Sequence, residues 1–561
     1  APTKQKYVRS NQMPFMNKNI IKSIMTRSRL KNKFLKNRSE TKKIAYNRQR
    51  NYCVNLIRKE KRKYFDKLDV TKITDNKMFR KTIKGHFSDK VGSSDKISLI
   101  DDNVIISEDS IVAETFSEYF SGVVTNLQIP INEEILFNAE EIEDPLQKVI
   151  QTYKNHPSIH VIKSNNMNIK NFSFNEITKQ DIEKEILSIS PNKATQSSDI
   201  PTRVLKHNVD IYSLYLYNIF NNCIRYSVFP DIMKTANVTP VFKKKDRISK
   251  ENYRPVSILP IASKIFERCL YNQIEAFFCD KFSKFQCGFR KGFSAQHCLV
   301  AMLETWRNTI DKKGSFVALL TDLSKAFDCI NHDLLIAKLN GYGLDITALS
   351  LMYNYLNNRK QKVKVGNHYS NVRNVEMGVP QGSILGPLSF NIHIADLFQF
   401  LPTSNIVSFA DDNTPYVTHI DIHQGVKDLE MISITLFDWF TNNYMKANPE
   451  KCHLLASRLE NINAIIDGNL IEGSKSEKLL GIQLDCNLTF NEHVENLCKK
   501  ASQKLSALAR ISSFIDESKR RVLFKAFIVS QFSYCPLVWM SNSRALNNKL
   551  IRIHERALRI V

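Results

Sequence analysis

Short apolar runs separated by polar turns organise the middle of this chain. Ile406-Val407-Ser408-Phe409 and Thr414-Pro415-Tyr416-Val417 flank a polar tip, Asp411-Asp412-Asn413. Runs of this length bounded by turn residues predict strands, so the segment reads as a hairpin with two adjacent carboxylates at its tip. Another apolar run, Phe316-Val317-Ala318-Leu319-Leu320-Thr321, ends in a third carboxylate, Asp322. Helical spacing follows it over Leu323–Leu339, and also marks Asp181–Leu187 and Val204–Tyr226. Pro191 to Pro201 reads as a polar loop, and Asn237–Phe242 as a strand closed by the turn Lys243-Lys244-Lys245-Asp246. From Tyr253 to about Asp485 strands and helices alternate without repeats, and Val494–Val561 is helical and basic on one side.

Three acids gathered at a strand end and a hairpin tip repel, and such proximity ordinarily forces protonation. Divalent cations remove that cost. An all-oxygen donor set suits Mg²⁺, which takes one or two carboxylates plus substrate phosphates. Two such ions about 4 Å apart can clamp the entering and leaving oxygens of a phosphoryl transfer. Taken alone, Asp411-Asp412 also fits an exposed turn pair with no chemistry.

A chain of 561 residues exceeds what one hydrophobic core serves, so two to four domains are expected. The net charge of +24 is uneven: residues 1–70 hold 21 basic and 4 acidic side chains, with Ile20, Ile21, Ile24, Met25, Leu30, Phe34 and Leu35 at helical spacing. A basic amphipathic arm of this kind suits a polyanion, nucleic acid before anionic membrane, although a solvated segment fits as well. Residues 91–173 carry acidic patches at Glu133-Glu134 and Glu140-Glu141 and read as a linker with short helices. Eleven cysteines include no Cys-x-x-Cys pair, which excludes a zinc knuckle and fits reduced thiols in an intracellular protein. No apolar window reaches the length of a membrane span. The start at Ala1-Pro2-Thr3-Lys4 reads as the middle of a longer frame, and the end at Leu558-Arg559-Ile560-Val561 falls inside a helical pattern.

Seven blocks in order resemble the reverse transcriptase region of non-LTR retrotransposons, the LINE type and its jockey-like members. They are Asn237–Lys244, Asn252–Leu259, Gln286-Cys287-Gly288-Phe289-Arg290, Asp322 through Phe327-Asp328, Gly378–Pro387, Phe409-Ala410-Asp411-Asp412 and Leu480-Gly481. Tyr534-Cys535-Pro536-Leu537-Val538-Trp539 extends the likeness to the tail. The resemblance implies an α+β right-hand polymerase of fingers, palm and thumb with an antiparallel palm sheet. The expected organisation is a basic helical arm (1–90), a linker region (91–173), an N-terminal extension (174–236), fingers and palm (237–486) and a helical thumb-like region (487–561). It also implies an endonuclease in a segment outside this chain, so the chain resembles a fragment working with a separate nuclease.

The same resemblance assigns roles. Asp322 and Asp411 would hold two Mg²⁺ ions, with Mn²⁺ as a substitute, the Leu323 carbonyl as a further ligand and Asp412 holding the charge and geometry. Phe327 would lie beneath the incoming sugar and exclude a 2′-hydroxyl; by its pattern alone it also fits a core ring. Lys243 and Arg254 would grip the triphosphate of a dNTP, and which of Lys243, Lys244 and Lys245 reaches it stays open. Gln381, in a loop where two glycines and a proline permit close backbone approach, would touch the nucleotide; a plain turn before a helix from Pro387 also fits. Arg290, Gly382, Leu480 and Gly481 would meet primer and template, and Lys451 is a candidate proton donor to pyrophosphate or an ordinary surface lysine. Departures from the family pattern fall at Gln196, Ser197, Ser198, Phe293 and Ala295.

The implied activity is RNA-directed DNA synthesis, extending a DNA primer at its target on an RNA template, in the nucleus or cytoplasm and without a membrane. The alternative is a catalytically silent RNA-binding relic or domesticated copy. A third reading stays within polymerases, as an intron maturase or a viral RNA-templated RNA polymerase; the bulk of Phe327 argues against RNA synthesis.

Overall fold

Strand β5 (Ser315–Leu320) is buried at all six positions, which requires cover on both faces of its sheet. Its residues alternate between two environments. Val317 and Leu319 share a core with Val426 and Leu429 of the helix Ile422–Asn442, while Phe316 stacks at 4.2 Å on Trp306 of the helix Ala295–Asp311. The computed structural model describes residues 15–67, 69, 70, 73, 79, 97–101, 104–130, 132–165, 171–196, 199–243, 245–401, 405–457, 462–540 and 543–561. Lys244, Ser197 and Ser198 therefore lie outside the described residues.

Around β5 runs a six-stranded sheet. Its members are β9 (Ile406–Phe409), β10 (Asp412–His419), β11 (His453–Ala456), β12 (Asn463–Ile466) and β13 (Asn469–Ser474), in the order β12-β13-β11-β5-β10-β9. β5 is antiparallel to both β10 and β11. A second sheet orders β4 (Tyr253–Ile258), β3 (Thr235–Phe242), β6 (Arg359–Val365) and β7 (His368–Tyr369), with β8 (Arg373–Val375) also on β6. Two hairpins stand apart, β1 (Leu99–Asp101) with β2 (Val104–Ile106), and β14 (Ser476–Leu479) with β15 (Ile482–Asp485).

These sheets belong to one of two units, Asp95–Leu488. Residues 91–173 do more than link. The helix Asp109–Gly122 buries Val112, Phe116 and Phe120 against Val238, Tyr253 and Val363 of the second sheet, and Leu146, Val149, Ile159 and Ile162 enter the largest core. Two helical readings are also corrected. Val204–Tyr226 is broken at Asn208 into Thr202–His207 and Val209–Arg225. Leu323–Leu339 begins as a loop, in which Lys325 has φ +52°, and turns helical only at His332, where Asn331 caps Leu334 N–H. Leu323, Ala326 and Ile330 are apolar because that loop is packed.

The other unit joins Ala1–Ser94 to Thr489–Val561. The helices Lys18–Lys36 and Glu40–Asp66 form a hairpin whose seam includes Ser23 and Cys53, 2.8 Å apart. Phe65, Val70, Ile73 and Phe79 share a core with Leu505, Leu508, Leu523 and Phe527, so the basic arm and the tail, expected as separate regions, fold together. No described helix is long and apolar enough to cross a membrane, and all eleven cysteines are free thiols.

Deep in the larger unit, Lys338 Nζ lies 2.6 Å from Asp396 Oδ1 with both side chains fully buried. The Trp439 indole donates to Asp396 Oδ2 at 2.9 Å, and Lys338 also donates to the His393 carbonyl. Removing one partner strands a buried charge. Asp396→Ala should lower unfolding free energy in urea by about 3–5 kcal/mol, against about 1 kcal/mol or less for Arg521→Ala at an exposed pair; equal losses would contradict this account of the core.

Candidate active site

The register of β5 and β10 decides where the acids fall. Ala318 pairs with Tyr416, and the bridge Thr321–Asn413 continues the ladder, with Thr321 N–H and Oγ both donating to the Asn413 carbonyl. The next cross-strand step sets Asp322 opposite Asp412. Asp411 sits in the two-residue turn joining β9 to β10, beside Ala410 at φ +59°. On its other side Asp322 is held by the segment 446–448: Asn448 N–H donates to the Asp322 carbonyl and Ser324 N–H to that of Lys446.

The electrostatics report this crowding. Burial, then the charges of Asp411 and Asp322, push the Asp412 carboxyl up to about 6, and Lys243 partly opposes them. Lys451 Nζ lies 3.2 Å from Asp322 Oδ2, a cation beside the acid that the sequence marked as a metal ligand. Among the described residues, no three His, Cys, Asp or Glu side chains converge closely enough to cage a metal ion unaided. The donors are hard oxygens carrying excess negative charge, which fits a Mg²⁺ ion that completes its shell with substrate phosphates and water.

Several residues without an assigned role hold the turn. Gly288 lies so close to it that a Cβ would stand 2.2 Å from Ala410 N. Cys287 N–H donates to the Ser408 carbonyl, Ser408 N–H to that of Phe285, and Asn391 Nδ2 to that of Gly288. The fully buried Glu267 accepts from Ile384 and Leu385 N–H, capping the helix Leu385–Ile394, which starts two residues before the expected Pro387. Nothing in the pattern of the helix Ile261–Phe278 distinguishes Glu267 from a surface acid.

Phe327 is half-buried, stacked 4.8 Å from the buried Phe390 and edge-on to Phe289 at 5.6 Å. Next to it, Asp328 accepts from the Gln381 amide at 3.0 and 3.2 Å; burial raises the Asp328 carboxyl, with Gln381 opposing. Val379 N–H also donates to the Phe327 carbonyl, so the loop that carries Gln381 is tied to the one that carries Phe327 and Asp328. Arg254 is exposed on β4, opposite Val241. A cleft of about 400 Å³ opens beside Gln381 and Asp328, with Lys234, Arg359, Lys360 and Arg373 in its lining.

Two expected nucleic-acid contacts are turned to structural use. The Arg290 guanidinium donates to the carbonyls of Ser283, Gln286 and Cys279, which the fold-back of the chain brings within its reach. Gly382, at φ +132°, approaches β4 so closely that a Cβ would lie 2.5 Å from the Ser257 carbonyl oxygen. Leu480 and Gly481, both at positive φ, form the β14–β15 turn.

The mixed helix-and-sheet fold fits an α+β polymerase. Residues 242–484 match the family described as reverse transcriptase (RNA-dependent DNA polymerase). The chain is 25% identical over 471 residues to "Probable RNA-directed DNA polymerase from transposon BS" of Drosophila melanogaster, covering 80% of this chain and 49% of that protein. It is 26% identical over 407 residues to "RNA-directed DNA polymerase from mobile element jockey" of Drosophila funebris, covering 68% and 43%. With "Probable RNA-directed DNA polymerase from transposon X-element" of Drosophila melanogaster it shares 25% over 393 residues, covering 66% and 43%. The chain spans less than half the length of these relatives. It carries a reverse transcriptase domain of the LINE-type, non-LTR retrotransposon kind.

Asp412 makes the site costly to fold. Its folded value lies above the unfolded one, near 4, so the penalty is absent below pH 4, grows from pH 4 to 6 and is complete above. Without divalent ions, Asp412→Asn should be more stable than wild type at pH 7.5 by about 1–2 kcal/mol, and no more stable at pH 4. Urea unfolding at both pH values tests this; a pH-independent difference would remove the charge explanation.

Proposed function

We propose that the chain is an RNA-directed DNA polymerase that transfers a nucleotide from dNTP to a primer 3′-hydroxyl on an RNA template. The observation that supports this is the raised Asp412 carboxyl, pushed up first by burial and then by the charges of Asp411 and Asp322 close by. Two divalent ions, Mg²⁺ or Mn²⁺, would supply charge stabilisation at the attacking and leaving oxygens. Asp322, Asp411 and the Leu323 carbonyl would hold them, and Asp412 would fix the charge balance of the turn.

The remaining residues take up roles around that centre in a right-hand arrangement. The six-stranded sheet serves as palm, the sheet containing β3 and β4 as fingers, and the helices after Thr489 as thumb. Lys243 and Arg254 would grip the triphosphate, Lys243 being close enough for its charge to act on Asp412. Phe327 would block a 2′-hydroxyl. Gln381, oriented by Asp328, would rest against the nascent base pair, and the basic cleft beside it suits the phosphates of a template strand. Lys451, paired with Asp322 in the free chain, would give a proton to pyrophosphate. The β14–β15 turn at Leu480-Gly481 would support the primer. An endonuclease that nicks the target would act from a separate polypeptide or segment.

The full chain should extend a DNA primer on an RNA template with Mg²⁺ and dNTPs. Asp411→Asn should lower the rate by about a thousandfold or more while RNA affinity stays within about twofold. Binding of RNA with no incorporation by the wild type in either Mg²⁺ or Mn²⁺ would favour a silent RNA-binding relic. Gly288→Ala should slow extension by about a hundredfold, as displacement of the turn misaligns Asp411; an unchanged rate would show that the close approach is dispensable.

A further inference from the structure

We infer that Phe289 is a specificity-determining residue that positions the ring of Phe327. This rests on the reading of Phe327 as the residue that excludes a 2′-hydroxyl. Phe289 is 46% exposed, where an apolar ring gains little from burial, yet its backbone holds φ +55°, a conformation disfavoured for a bulky residue. The preceding Gly288 is pressed against the backbone of Ala410, so the ring is referenced to the turn that bears Asp411. The following Arg290 is anchored inward by three carbonyls. Fixed at both ends, Phe289 meets Phe327 at 85° and 5.6 Å, an edge-to-face geometry.

Phe327 is therefore gripped by two aromatics of different character. Phe390 stacks on it from within the core, 20° from parallel, and fixes its plane. Phe289 stands on the exposed side and restrains its tilt. A sugar gate discriminates by a clash of one hydroxyl, and a ring free to tilt by an ångström relaxes that clash. Phe289 acts through Phe327, as a positioning residue.

The experiment is primer extension by the full chain, measuring kcat/KM for a dNTP and for the matching rNTP. Phe289→Ala should lower the dNTP/rNTP ratio about two- to tenfold, Phe289→Tyr should keep it, and Phe289→Ala should add nothing in a Phe327→Ala background. If Phe327→Ala relaxes the ratio and Phe289→Ala leaves it unchanged, or lowers both substrates equally, the inference is overturned while the Phe327 reading stands. Additive effects of the two changes would also overturn it, since Phe289 would then act independently. A ratio unmoved by Phe327→Ala would sink both.

Discussion

Mutual repulsion among Asp322, Asp411 and Asp412 is the constraint around which the larger unit is arranged. Burial and like charges brought close both disfavour the charged form, and together they push the Asp412 carboxyl up to about 6. A chain free to relax would splay the turn away from β5. Here the register of β5 with β10 holds Asp322, just past the end of β5, near Asp412 at the start of β10, while Lys451 pairs with Asp322. Stability is surrendered at one point to hold a charge distribution that a cationic ligand completes.

What prevents relaxation is backbone packing. Gly288 abuts Ala410, Cys287 and Phe285 hydrogen-bond across Ser408, and Asn391 ties Gly288 to the helix Leu385–Ile394. Glu267 caps that helix. The scaffold also reaches beyond the segment that matches the reverse transcriptase family. Ile159, Ile162, Ile182 and Phe220 are upstream of residue 242 yet lie in the same core as Leu335 and Phe390. The helix Asp109–Gly122 covers the sheet that carries Arg254.

The hairpin with Asp411 and Asp412 at its tip was legible because short apolar runs flank it, a local pattern that strand periodicity exposes. The helices Lys18–Lys36 and Glu40–Asp66 fall where apolar residues at helical spacing interrupt a basic stretch. Other features depend on distant neighbours and left no local trace. Leu323, Ala326 and Ile330 mimic helical spacing, but they are buried by the Gly378–Gln381 loop and its surroundings, whose Gly378 N–H donates to the Ile330 carbonyl. Arg290 has the charge of a nucleic-acid contact, yet it donates to carbonyls of the preceding loop, a local fold-back that residue spacing does not reveal. Residues 91–173 looked like a linker because their apolar positions are scattered over short helices, each meeting a different core. The joining of arm to tail pairs residues more than 400 positions apart, such as Phe65 with Phe514 at 6.0 Å.

The central claim is that the three acids form one electrostatic unit completed by divalent cations. It is tested most directly by thermal unfolding of the full chain at pH 7.5, with and without millimolar Mn²⁺. The account predicts that the ion raises the melting temperature of the wild type and that Asp322→Asn or Asp411→Asn abolishes the shift. A wild type indifferent to the ion, or an equal shift in both variants, would contradict it.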